Sequence, residues 1–187
     1  MRRAILGFLA MVVTLLLASG VAQADVITGT EAPDELVGTY GSDSIFGLGA
    51  GDLLLDDPTV LDPGADDSMY GGPGDDGIYA ELGDDSALGG PGDDDVSGGM
   101  GADLLYGGDG NDYVDDGPPF DTSGDAIYGG AGDDTLDAFN DPPVADSVAC
   151  GPGNDLVFTD GADLIAADCE VVVRGPDPDS DDLLYDA

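Results

Sequence analysis

Residues 71–79 read GGPGDDGIY, and residues 89–97, eighteen positions on, read GGPGDDDVS. A nine-residue period that returns along most of a chain leaves few folds open, because each unit has room for only one turn and one short strand. With positions numbered one to nine from Gly71, copies begin at Gly29, Gly38, Gly47, Asp62, Gly71, Ala80, Gly89, Gly98, Gly107, Phe120, Gly129, Asp141 and Cys150. A shortened copy ends in Asp163 and Ile165. Position six is Asp in every copy, and position eight is apolar in every copy, from Leu36 and Ile45 to Val157 and Ile165. Gaps at 56–61, 116–119 and 138–140 interrupt the series, each before an even-numbered copy.

Each part of the nonapeptide has a physical task. Residues seven to nine make a three-residue strand whose middle side chain points inward, since alternate residues face opposite ways. Residues one to six make a turn whose glycines admit backbone angles closed to other residues and let carbonyl oxygens approach one another. Two turns and two strands close one coil of eighteen residues, and stacked coils give two parallel sheets facing across a thin apolar layer. A single coil cannot bury its own Leu, Ile and Val, so stability comes from neighbours.

The copies GGPGDDGIY (71–79), GGPGDDDVS (89–97), GGMGADLLY (98–106), GGDGNDYVD (107–115) and GGAGDDTLD (129–137) carry the pattern most fully, and CGPGNDLVF (150–158) departs only at position one. This pattern resembles the hemolysin-type calcium-binding repeat, or RTX (repeats in toxin), over roughly residues 27–166. The resemblance implies an all-β fold, a parallel β-roll with Ca²⁺ held in the turns. It also implies that position-six carboxylates and backbone carbonyls of the glycine-rich turns hold the ions, as a hard cation taking six to eight oxygens requires. Aspartates that repel one another when alone then become a cage.

Alternate copies face opposite edges of such a stack. The odd copies from 71 onward keep Gly at positions two and four, whereas even copies contain DPGADD, AELGDD, FDTSGD and DPPVAD. One edge is therefore expected to be an uninterrupted calcium ladder, with about four sites along Asp76, Asp94, Asp112, Asp134 and Asp155. Its carbonyl donors are expected in the turns carrying Gly71, Gly74, Gly89, Gly92, Gly107, Gly110, Gly129, Gly132 and Gly153. One further site is expected between Asp85 and Asp103, about five ions in all. The first copies, 29–55, are expected to bind more weakly. Second aspartates at position five (Asp66, Asp75, Asp84, Asp93, Asp133) are expected to face solvent. At outward position nine the strands of the even copies carry Phe46, Tyr70, Leu88, Tyr106, Tyr128 and Ala149. Such a stripe either stabilises an exposed sheet or, at Tyr70, Leu88, Tyr106 and Tyr128, offers a surface to a glycan or protein partner.

Arg2 and Arg3, the apolar run Ala4 to Ala18 and AQA at 22–24 form a secretory signal peptide pattern, with cleavage expected after Ala24. The apolar run is short for a membrane span of about 20 residues, and no second stretch could cross a bilayer. The repeat domain is expected over 25–173 and an acidic disordered tail over 174–187. All 41 acidic residues follow the leader and Arg174 is then the only base, giving 1 − 41 = −40. Nucleic acid and anionic membranes would repel such a chain. Cys150 and Cys169 bracket the last coil, and in an oxidising compartment a disulfide between them is expected to fasten it.

These features point to a secreted, non-enzymatic calcium-binding protein that folds on meeting extracellular Ca²⁺ and serves as a surface, adhesive or interaction element. A chain without His or Lys lacks the commonest general base and the amine nucleophile. Ice binding, calcium sequestration and, more remotely, a hydrolase or toxin accessory role are the alternatives. The outward turn positions are mostly Pro, Asp, Ala and Met rather than a Thr or Asn ladder, which disfavours ice binding.

Overall fold

The computed structural model describes residues 24–56 and 64–175. The expected leader and most of the expected tail lie outside these residues. Strands of three residues alternate with turns, and successive strands fall into opposite sheets. One sheet stacks β1 (Val26–Thr28), β3 (Ser44–Phe46), β5 (Ser68–Tyr70), β7 (Ser86–Pro91), β9 (Leu104–Asp109), β11 (Ala126–Ala131), β13 (Ser147–Ala149) and β15 (Leu164–Ile165) in that order. The other stacks β2 (Glu35–Val37), β4 (Leu53–Leu55), β6 (Gly77–Tyr79), β8 (Asp95–Ser97), β10 (Tyr113–Asp115), β12 (Thr135–Ala138), β14 (Leu156–Thr159) and β16 (Val171–Arg174). Every pairing is parallel and keeps position eight over position eight, as in Val96↔Val114 and Leu105↔Ile127. The chain is a two-sheet parallel β-solenoid, as the period predicts.

Between the sheets lie two columns of side chains. Ile45, Met69, Ala87, Leu105, Ile127 and Val148 project from one, and Leu54, Ile78, Val96, Val114, Leu136 and Val157 from the other, all fully or almost fully buried. A buried aliphatic side chain of this size contributes about 1.5–3 kcal/mol. Each coil contributes only two, so no coil is stable by itself and the stack is cooperative along its length.

The solenoid is longer at both ends than the copies counted from Gly29 to Ile165. At the start, Asp25 and Ile27 occupy positions six and eight of a half copy, and β1 pairs with β3. At the end, Glu170 and Val172 do the same, and β16 pairs with β14. Cys150 and Cys169 form a disulfide that ties the last full odd-edge turn to this final rung.

The gaps also sit differently from the register read along the chain. The turn begins directly after each odd-copy strand, so position one of the even edge is occupied by Gly38, Asp56, Ala80, Gly98, Asp116 and Ala138. Gly98 N–H donates to Asp115 O and Asp116 N–H to Asp137 O, which places these residues one above another. The extra residues of these two turns therefore lie between position one and the position-six aspartate instead of linking complete copies. Backbone pairing through position one is kept, and the slack is taken up further along the turn, where Phe120 and Thr122, and Asp141, Pro142 and Pro143, are exposed.

Candidate metal centre

Each edge of the solenoid carries a column of position-six aspartates, and each aspartate is held by the backbone of the rung before it. On the odd edge Asp76 N–H donates to Asp94 Oδ1 at 2.8 Å, Asp94 N–H to Asp112 Oδ1 at 2.9 Å, Asp112 N–H to Asp134 Oδ1 at 2.9 Å and Asp134 N–H to Asp155 Oδ1 at 3.0 Å. On the even edge the same bond links Asp85 to Asp103 at 2.8 Å, Asp103 to Asp125 at 2.6 Å and Asp125 to Asp146 at 2.8 Å. The expected ligands Asp76, Asp85, Asp94, Asp103, Asp112, Asp134 and Asp155 are all buried, none more than 3% exposed.

This bond uses one oxygen of each carboxylate. The other, Oδ2, has no hydrogen-bond partner among protein atoms in Asp52, Asp76, Asp85, Asp94, Asp103, Asp112, Asp125, Asp134, Asp146 and Asp155. A buried carboxylate oxygen without a partner is costly and occurs rarely without a cation or proton to meet it. Burial pushes these groups up, Asp85 and Asp125 to about 8, Asp94, Asp103 and Asp146 to about 7, and Asp112 to about 6. The backbone bond each accepts opposes the rise, and like-charged aspartates nearby add to it. Among the described residues Arg174 is the only base, so no side-chain cation serves these two columns.

The glycines shape the space that Oδ2 faces. At position one, a Cβ on Gly107 would lie 2.5 Å from Asp112 Oδ2 and 2.7 Å from Gly129 O of the next rung. One on Gly129 would lie 2.5 Å from Asp134 Oδ2 and 2.8 Å from Cys150 O. Gly71 and Gly89 stand in the same relation to Asp76 and Asp94. A carboxylate oxygen and a carbonyl oxygen thus border one spot that only glycine leaves open. At position four, Gly74, Gly92, Gly110, Gly132 and Gly153 bring successive turns so close that an added Cβ would strike the backbone of the rung before. Gly92 N–H donates to Asp109 O and Gly110 N–H to Ala131 O, both at 2.8 Å. Carboxylate oxygens short of partners, beside carbonyl oxygens at rung spacing, fit a hard divalent cation.

The comparison with protein families agrees with this geometry. The model of the RTX calcium-binding nonapeptide repeat matches residues 19–54, 64–87, 88–115 and 121–141, more than half of the chain. The chain belongs to the RTX calcium-binding repeat family. No curated protein matches it. As an RTX chain it carries calcium-binding repeats folded as a β-roll, and its buried aspartates are of the type that Ca²⁺ requires.

Three features of this RTX β-roll were not read from the pattern. Position-five aspartates are exposed, as expected, yet they form a second ladder running the opposite way. Asp93 N–H donates to Asp75 Oδ1, Asn111 N–H to Asp93 Oδ1 and Asn154 N–H to Asp133 Oδ1. The last contact, with the Asn154 side chain first, draws the Asp133 carboxyl below its ordinary value. Secondly, terminal carboxylates are satisfied locally. Asp43 Oδ2 accepts from Thr39 N–H at 2.6 Å and Thr39 Oγ1 at 2.9 Å, Asp34 Oδ2 accepts from Thr30, and Asp163 Oδ2 accepts from the Thr159 hydroxyl. The Thr at 30, 39 and 159 was the available signal. Thirdly, Asp116, outside the period, enters the even edge with Asp125 and Asp146.

The outward stripe is in place on the sheet of β3, β5, β7, β9 and β11. Phe46 stacks on Tyr70 at 5.1 Å between ring centroids, and Tyr106 on Tyr128 at 4.4 Å, with Leu88 in the rung between the two pairs.

Proposed function

We propose that this protein is an exported, non-enzymatic β-roll that folds on binding extracellular Ca²⁺ and acts as a surface or interaction element. One observation carries the proposal: a column of buried aspartates with one oxygen fixed by the stack and the other without a protein partner. About five ions would lie between Asp76 and Asp94, Asp94 and Asp112, Asp112 and Asp134, Asp134 and Asp155, and Asp85 and Asp103, with turn carbonyls completing the shells. Bound Ca²⁺ would cancel the repulsion along each edge, and millimolar calcium outside cells suits modules binding near 10⁻⁴–10⁻³ M. The leader pattern at 1–24 supports export of an unfolded acidic chain that folds only outside. Among the described residues no helix is long and apolar enough to cross a membrane.

Circular dichroism of residues 25–187 tests the reading. Disorder in chelator and a cooperative gain of β signal with Ca²⁺, absent with Mg²⁺, is the expected result, since binding energy here is folding energy. Equal spectra with and without Ca²⁺ would sink it. The stripe of Tyr70, Leu88, Tyr106 and Tyr128 is the candidate contact surface. Tyr106→Ser with Tyr128→Ser should weaken attachment to cell wall, glycan or protein while leaving the calcium titration in place.

A further inference from the structure

The even edge contains a cluster that the nonapeptide pattern does not describe. Asp116 stands at position one, where Gly98 stands in the rung before, and a side chain there points at the position-six carboxylate of its own turn. The structure shows that consequence. Ligand oxygens of Asp116, Asp125 and Asp146 lie within 4.8 Å of one another. Oxygens bound to one Ca²⁺ at about 2.3–2.6 Å are at most about 5 Å apart, so one ion can touch all three.

A second observation comes from the inserted segments. Asp116 and Asn140 are each 1% exposed, and neither Asp116 Oδ1 nor Asn140 Oδ1 has a protein partner. Asn140 Nδ2 donates to Asp116 Oδ2 at 3.2 Å, which places the amide beside the cluster and leaves its acceptor oxygen available. Asp125 and Asp146 each spend Oδ1 on the backbone of the rung before and keep Oδ2 unpartnered. The only base among the described residues is Arg174, on the terminal strand. Three buried carboxylates and one neutral oxygen acceptor thus converge from two successive turns, Asp116 and Asp125 from one and Asn140 and Asp146 from the next.

We propose that Asp116, Asp125, Asp146 and Asn140 form a separate divalent-cation site in which side chains replace the carbonyls of the glycine turn. The even-edge turn here begins with Asp116, keeps Gly117 over Gly99 at position two, and reads PPFDTSG from there to Asp125. The spot that glycine leaves open at position one of the odd edge is filled here by the Asp116 side chain, and the Asp116 carboxylate and the Asn140 amide bring oxygens of their own to it. Waters complete a shell of six to eight oxygens. The site rests on the calcium reading above only for the kind of ion; Asp116, Asp125, Asp146 and Asn140 take no part in the five sites proposed there.

Native mass spectrometry of the protein in Ca²⁺ counts the ions. Asp116→Gly restores the residue that the preceding rung has, so the fold is retained, and Asp116→Asn keeps the size of the side chain as a second variant. Both are expected to carry one ion fewer than the parent, and Asn140→Leu to lose the same ion. Asp94→Asn, on the opposite edge, should lose odd-edge calcium and keep the ion that Asp116→Gly loses. Counts for Asp116→Gly and Asp116→Asn equal to the parent's would overturn this site while leaving the odd-edge ladder standing. A parent that binds no Ca²⁺ would overturn both.

Discussion

The two edges of this solenoid share one skeleton and solve the same electrostatic problem with different atoms. On the odd edge, turns 71–76, 89–94, 107–112 and 129–134 stack backbone on backbone, and strands β7, β9 and β11 run on into them with paired registers such as Gly90↔Gly108 and Gly108↔Gly130. On the even edge the aspartate column continues without a break, but the glycines thin out and two turns among the described residues carry extra residues before Asp125 and Asp146. The comparison separates two requirements. Stacking needs the position-six hydrogen bond, which both edges keep. In the sites proposed above, a cation would take further oxygens from backbone carbonyls where the turns are glycine-rich and from the Asp116 and Asn140 side chains in the turns that carry extra residues.

Acidity should expose the difference most strongly. Without metal, the carboxyls are held well above the ordinary aspartate value, to about 7–8 at Asp85, Asp103, Asp125 and Asp146 on the even edge and about 6–7 at Asp94 and Asp112 on the odd edge, chiefly through burial. A raised folded-state value means that the folded chain binds more protons than the unfolded one. The contribution to stability is then fully present below about 4 and lost as pH rises through 6–8. In chelator, β signal should grow as pH falls from 8 to 5, with even-edge carboxylates protonating first in a carbon-13 NMR titration. In saturating Ca²⁺ the sign reverses, because protons compete for the ligand oxygens. A metal-free chain whose compactness increased with pH would break the comparison.

Glycine replacements come next in size. Gly110→Ala drives a methyl group into Gly92 O at a φ of +153°, and should cost about 4 kcal/mol in thermal unfolding with Ca²⁺ present. Gly124→Ala, on the even edge, meets only Ala145 O at 2.8 Å, has no left-handed backbone, and should cost about 1 kcal/mol. Equal losses would show that the edges are packed alike. Reduction of the Cys150–Cys169 bridge, which closes 19 residues, should cost about 3 kcal/mol and be seen first as faster amide exchange in β14 and β16. Smallest is Asp43→Asn. Thr39 already satisfies this carboxylate, so a loss of about 1 kcal/mol and an unchanged ion count are expected by native mass spectrometry.

Much of this was legible from residue order. The period of nine placed Asp at six and an apolar residue at eight, and those two positions alone predict the buried columns, the parallel register and the pairing of every second strand. The half copies at Asp25–Thr28 and Glu170–Val173 follow the same rule but lack glycine turns, and Glu170, whose Oε2 accepts from Asp155 N–H at 3.1 Å, replaces the usual Asp. The bulges were legible as gaps and not as positions within a turn. Counting residues cannot tell whether slack falls before a copy or inside it; the need to keep position one paired across rungs decides that.

A repeat is a local rule applied many times, and for that reason the chain order alone dictated the coil, its inward residues and the chemistry of its turns. Contacts between rungs are not local. The two opposed aspartate ladders, and the meeting of Asp116 and Asp125 with Asp146 and Asn140 of the next turn, arise only when residues some eighteen or more positions apart are brought to strand spacing, and only at that distance do like charges become either a penalty or a binding site.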